Sequence, residues 1–266
     1  MNPSSLPSLH AGFALPARDA DQLPGHVRAL RVDLLDGAST TVYVATYPLG
    51  RTELRAVRLA TPQPLEAWCD SHGVSEAMVG GFYARPHGTP LGELRTSGVL
   101  RRHVPFDEPW GATRACLHVE GGQITIARRR ELPQAPAGDL LQAGPLLVRD
   151  GIAIDGDPEG FSAGQRQFDS DITAGRYPRA ALGIGAGKLL AVVCDGRADH
   201  DCGLTMGEFA ETLVALGAHS AINLDGGGSA SLVASGRLWN RPRAEHGVEL
   251  PGGRAVTTAL VFRPTV

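Results

Sequence analysis

The chain has 266 residues, enough to bury a sizeable core as one large domain or two interlocked halves. Its formal net charge is −3, arginine far outnumbers lysine, aromatics make up 5% of the chain and glycine numbers 34. That balance lacks the basic stripe of a nucleic-acid binder and favours many strands and tight turns over a helical bundle.

Met1 to Leu9 is polar and proline-rich, with no lysine or arginine ahead of an apolar run, so it lacks the layout of a secretory signal. No window approaches the roughly 18 apolar residues of a membrane span. A cytoplasmic location is therefore expected, with non-standard export left open. Residues 1–25 read as a loosely ordered leader, and 26–266 as a single domain.

Polar and apolar residues alternate from His26 to Asp33 and from Thr41 to Ala45, with Asp36-Gly37 between them, which predicts a hairpin. Leu54 to Leu59 alternates again as a third strand. Pro64 to His72 fits a short helix that Gly73 terminates. Ala77-Met78-Val79 is a strand running into the bend Gly80-Gly81-Phe82-Tyr83. Arg85 to Trp110, rich in Gly, Pro and Arg, reads as a long loop across a site.

Strands are predicted at 115–119, 123–127 and 140–148, with Arg128-Arg129-Arg130 as a solvated turn. Asp150 to Arg179 is polar and turn-rich. Ala180 to Gly185 and Leu189 to Cys194 form a strand pair about a glycine-containing turn. The strongest helix spans Thr205 to Leu216. Thr205 and Glu208 have capping-box spacing, Phe209, Leu213 and Leu216 make an apolar stripe, and Gly217 ends it. Ala221 to Asp225, 230–234 and 256–262 complete the strands. Helices are missing between most strands, which argues against a doubly wound sheet. The fold class is α+β, with mixed, largely antiparallel sheets and few helices.

Cys69, Cys116, Cys194 and Cys202 form no CxxC pair and read as free thiols, with pairing left open. Cys202 lies near His200 and Asp201, without partners at metal-site spacing.

Ala221-Ile222-Asn223-Leu224-Asp225-Gly226-Gly227-Gly228-Ser229 is the most informative stretch. An apolar strand ends in a carboxylate, and three glycines follow whose ordering is entropically costly. They suit a bend whose backbone N–H groups face an anion, or else an ordinary turn before the next strand. No Gly-Lys-Ser/Thr follows, no GxGxxG opens a helix, and Ser229 lacks the G-x-S-x-G elbow. Asp195-Gly196-Arg197, Tyr177-Pro178-Arg179 and Gly80-Gly81-Phe82-Tyr83 are three further candidate corners. An arginine beside open amides suits phosphate, because a guanidinium makes paired charge-assisted hydrogen bonds.

In this order, the segments resemble the phosphodiester glycosidase family over roughly residues 76–263. The resemblance rests on Gly80 to Tyr83, Leu141 to Gly151, Tyr177 to Gly183, Val193 to Arg197, Gly203 to Thr205, Asn223 to Ser229, and Gly253-Arg254. Val79 stands where the family commonly has Asn. The resemblance implies hydrolysis of a sugar-1-phosphodiester, carried by a small molecule or a glycan. Asp225, Asp195 and Arg179 become the catalytic candidates. Gly80, Gly81, Asn223, Gly226, Gly227, Gly228, Ser229 and Arg254 become the substrate-binding ones. On this reading Arg179 and the amides of Gly226 to Gly228 hold the phosphate. Asp225 stabilises an oxocarbenium-like centre or activates water, and Asp195 is second choice for that role or braces a turn. No cofactor is assigned with certainty, and the loop aspartates are compatible with a divalent cation. A non-catalytic carbohydrate or cell-envelope glycan binding module on the same scaffold is the alternative. Oligomeric state is left open.

Overall fold

The structure, a computed structural model, describes residues 8–11, 26–84, 87–154 and 175–265. The leader expected over 1–25 lies outside these residues except for Ser8–Ala11, a strand that pairs with Val27–Asp33. Much of the turn-rich stretch expected from Asp150 to Arg179 also lies outside them.

Among the described residues the strands form an eight-stranded sheet, two five-stranded sheets and a two-stranded ribbon. Neighbouring strands pair antiparallel throughout, and an isolated bridge between Leu91 and Val104 is parallel. The first hairpin joins Val27–Asp33 to Ser39–Pro48. It turns at Gly37, at φ 83, where the Asp36 carboxylate accepts the Ala38 N–H at 3.1 Å. Arg179–Gly185 and Lys188–Cys194 pair across Ala186 and Gly187, both at positive φ, the conformation that matches the twist of a two-residue hairpin. These two strands are buried nearly end to end because both faces are covered.

Helix Met206–Ala215 starts at the predicted capping box. The Glu208 N–H donates to Thr205 Oγ1 at 3.2 Å, and the Thr205 N–H donates to Glu208 Oε2 at 2.8 Å. The helix packs on Leu146–Arg149 and Ile152–Ala153. Helix Leu65–His72 ends at Gly73, at φ 62. No helix among the described residues is long and apolar enough to cross a membrane. Arg129, expected in a solvated turn, is half-buried, and its Nε donates to Glu93 Oε2 at 2.6 Å. The four cysteines are free thiols.

The strand expected over 140–148 is two strands in different sheets. Asp139–Gln142 belongs to a five-stranded sheet and Leu146–Arg149 to the eight-stranded one. The chain crosses between them at Ala143 to Pro145, and Asn223 fastens the crossing. Gly144 N–H donates to Asn223 O at 3.1 Å, Asn223 N–H to Pro145 O at 3.0 Å, and Asn223 Nδ2 to Gly144 O at 3.3 Å. Gly144-Pro145, a turn dipeptide, marks this break between two buried apolar halves.

Gly185 shows how closely helix end and sheet approach. A Cβ on it would lie 1.9 Å from Gly217 O, whereas one on Gly50 would meet nothing within 4 Å. Gly185→Ala is expected to cost about 3 kcal/mol in urea unfolding, and Gly50→Ala less than about 0.5 kcal/mol. Equal midpoints for the two variants would show that this approach is not a constraint.

Candidate active site

Strand register gathers the distant segments. Arg179 pairs with Cys194 and Ala181 with Asn223, so the start of one strand meets the ends of two others at one sheet edge. Beyond Asn223, the Leu224 N–H donates to Ala180 O at 2.8 Å and the Asp225 N–H to Gly80 O at 3.0 Å. The Gly227 N–H donates to Pro178 O at 2.8 Å. A Cβ on Gly226 would sit 2.9 Å from Pro178 O and 3.8 Å from Arg179 Cα; one on Gly196 would sit 2.7 Å from Pro178 N. The backbones at 178–179, 195–197 and 225–229 therefore meet at one corner, with Gly80 holding it from beneath.

Three charged side chains occupy that corner. Asp225 is half-buried, and its Oδ1 accepts the Gly226 N–H at 3.0 Å. Arg197 is half-buried at φ 61, a left-handed conformation that disfavours a residue with a side chain. Its Nη1 lies 3.4 Å from where a Gly227 Cβ would be and donates to Arg243 O at 3.0 Å. Its guanidinium carbon lies 5.4 Å from the centre of the Tyr177 ring, within cation–π range. Arg254 brings its guanidinium carbon to 3.5 Å from a Gly228 Cβ position, and its N–H donates to Gly228 O at 2.8 Å. The glycines thus let two guanidiniums lie directly against the main chain. Burial holds Arg197 below the usual arginine range; Glu245 opposes that shift and the like charge of Arg254 adds to it.

The remaining candidates form the frame. Arg179 is 3% exposed, and its guanidinium reaches under the corner. Nε donates to Leu204 O, Nη2 to Gly175 O at 2.9 Å and Nη1 to Met206 Sδ at 3.3 Å. Burial pulls its pKa down to about 10. Arg179 therefore ties the Gly175 to Arg179 segment to the start of a helix, and the cations against the glycines are Arg197 and Arg254. The amides of Gly226 and Gly227, expected to face an anion, already donate to Asp225 Oδ1 and Pro178 O.

Asn223 is the crossover brace described above. Ser229 is 1% exposed, and its N–H donates to Gly226 O at 3.1 Å, closing the glycine turn. Gly80 and Gly81 are bound to Thr258. The Gly80 N–H donates to Thr258 O at 3.0 Å and the Gly81 N–H to Thr258 Oγ1 at 2.9 Å, and a Gly80 Cβ would clash with that hydroxyl at 2.5 Å.

Asp195 is 1% exposed, and its Oδ1 accepts the Arg241 N–H at 2.7 Å. Burial raises its pKa to about 7; the Arg241 N–H bond opposes the rise, Asp201 reinforces it, and the Arg243 and Arg241 charges oppose it. Asp195 thereby anchors the loop whose Arg243 carbonyl receives Arg197. Arg197 and Tyr177 stand in two of the candidate corners named from the sequence, where neither was given a role of its own. The available signal was that both belong to short polar triplets bordering the two central strands. Among the described residues, no group of three or more His, Cys, Asp or Glu side chains comes together as a metal cluster.

The geometry defines a β-rich α+β domain with a carboxylate and two arginines gathered on a glycine corner. A sequence profile for phosphodiester glycosidases matches residues 72–263, and the chain belongs to that family. No curated protein sequence matches it.

Among solved structures, it is similar to the catalytic domain of zebrafish N-acetylglucosamine-1-phosphodiester alpha-N-acetylglucosaminidase, auto-inhibited by its pro-peptide. The TM-score is 0.66 at 20% identity, covering 97% of this chain and 88% of that one. A hypothetical protein from Synechocystis gives 0.60 at 18%, covering 91% of this chain; this chain spans only 64% of that protein. A putative exported protein from Burkholderia pseudomallei gives 0.58 at 17%, covering 86% and 74%. At these identities the likeness shows the fold.

Asp195 makes stability pH-dependent. Its pKa rises from 3.8 to about 7 on folding, so in that window the folded chain keeps a proton that the unfolded chain has released. Stability is therefore lost as pH climbs from about 4 to about 7. Asp195→Asn, whose amide oxygen can still accept the Arg241 N–H, should flatten that slope in urea melts taken across the window. The same slope in both proteins would show that another group titrates.

Proposed function

We propose that the protein hydrolyses the bond between the anomeric carbon of a sugar and the phosphate oxygen of a sugar-1-phosphodiester. Family membership supports glycosidase chemistry on a phosphodiester, and the zebrafish relative's name describes such a substrate. The single observation that carries the reading is the pair Arg197 and Arg254 against Gly227 and Gly228, beside Asp225.

A phosphate oxygen is a good leaving group, so the main demand is to stabilise the charge it carries away. Preformed cations next to bare backbone meet that demand without reorganising. The C–O bond breaks with its electron pair going to the phosphate oxygen, giving a phosphomonoester. Water adds its oxygen to the anomeric carbon and releases a proton. Asp225 faces that carbon, as the carboxylate that stabilises its positive charge or takes the proton from water. Arg197 and Arg254 bind the phosphate. Arg179 and Asp195 act from behind, through the segments they hold.

Hydrolysis of a glycosyl phosphodiester in 18O-labelled water should place the label in the sugar; label in the phosphate would mean P–O cleavage and sink the proposal. Asp225→Asn should lower kcat about a thousandfold with KM little changed, and Arg197→Ala should lower kcat/KM about a hundredfold. Retained binding with no turnover by the unaltered protein would instead identify a glycan-binding module.

A further inference from the structure

Strand Thr52–Gln63 forms one edge of a five-stranded sheet, paired with Val256–Pro264 on its inner side. Its register slips between the pairs Val256–Gln63 and Thr258–Arg58, so residues 59–62 bow out from the sheet. Two cavities of about 410 and 650 Å³ lie along this edge and share Arg58, Leu59 and Ala60 as a common wall. Together they make one groove. Arg102 and His87 line its first half, and Arg101 and Arg263 line its second.

The groove is basic in a chain whose net charge is −3. Arg55, at its margin, is neutralised by Asp139 at 2.7 Å and Glu53 at 3.3 Å, and Arg101 Nε donates to Thr96 Oγ1. Arg58, Arg102 and Arg263 are exposed, and among the described residues their side chains have no hydrogen-bond or ion-pair partner. Three uncompensated guanidiniums spaced along an elongated depression suit a linear polyanion better than a single small anion.

The groove is tied to the corner described above through two stretches of chain. The ribbon of Tyr83–Ala84 and Thr89–Pro90 grows directly out of Gly80-Gly81, and Gly88 and Thr89 in its returning arm wall the groove. Thr257, also in that wall, precedes the Thr258 that binds Gly80 and Gly81, and Gly80 O holds the Asp225 N–H.

We propose that this groove binds the backbone of an anionic glycan polymer with repeated phosphodiesters, one unit of which enters the corner at Asp225. The choice of polymer rests on the glycosidase reading above; the groove's affinity for a polyanion does not. The test uses the whole chain and a variant combining Arg58→Gln, Arg102→Gln and Arg263→Gln, all surface changes. The probes are a poly(glycosyl phosphate) oligomer, its single glycosyl phosphodiester unit, a neutral glucan of equal length and a single-stranded DNA of equal charge.

The triple variant should bind the oligomer at least about tenfold more weakly, with a shallower salt dependence. Its kcat/KM on the single unit should be unchanged. Equal oligomer binding by both proteins, or equal binding of the neutral glucan, overturns the groove. Tighter binding of DNA than of the oligomer overturns the named occupant. Arginine-dependent oligomer binding without hydrolysis of either phosphodiester leaves the groove standing and removes the glycosidase reading.

Discussion

The hydrogen bond from the Asp225 N–H to Gly80 O joins two sheets at the point where a carboxylate leaves the core. Around it, the backbones at Gly80, Gly196 and Gly226 approach Thr258 and Pro178 more closely than a Cβ would allow. The site is therefore made of main-chain contacts before any side chain is placed. Asp225, Arg197 and Arg254 are presented by a frame whose shape glycine permits and whose hydrogen bonds fix it. Such a frame limits how far each charge wanders, which is what electrostatic stabilisation of a leaving group requires.

The charges themselves are layered. Nearest the surface lie Arg197, Arg254 and Asp225. Beneath them Asp195 fixes the loop from Arg241 to Arg243 through one amide, and the Arg243 carbonyl fixes Arg197. Arg179 holds the opposite wall by reaching Leu204 O and Gly175 O. A neutral Asp195 is compatible with its single acceptor duty to an N–H, so its raised pKa does not conflict with a bracing role. The deeper groups set positions, and the shallower ones are those the proposed function assigns to the ligand.

Much of the frame was legible from residue pattern. The hairpin about Gly37, the helix ended by Gly73 and the capping box at Thr205 each follow from local chemistry that tertiary context did not override. The glycine corner was legible as a tight bend after an apolar strand ending in Asp, while the partners of its amides were not, because they come from Pro178 and Asp225 in the folded chain. The direction of Arg179 was not. It opens a strand buried almost throughout, so no alternation distinguishes one face from the other. The split of 140–148 between sheets did carry a local signal, the turn dipeptide Gly144-Pro145 inside the expected strand. The Arg197 guanidinium lies beside Gly227 because of a left-handed backbone angle and a carbonyl from residue 243, and neither is encoded near position 197.

That left-handed angle at Arg197 sets strain against contact. Glycine would occupy φ 61 without steric penalty, and arginine there costs on the order of 1 kcal/mol. Glycine at 197 would relieve that strain but forfeit the bond to Arg243 O and the contact with the Tyr177 ring. Relatives with glycine at this position would therefore have to anchor the 243 loop, and supply a cation beside Gly227, from elsewhere.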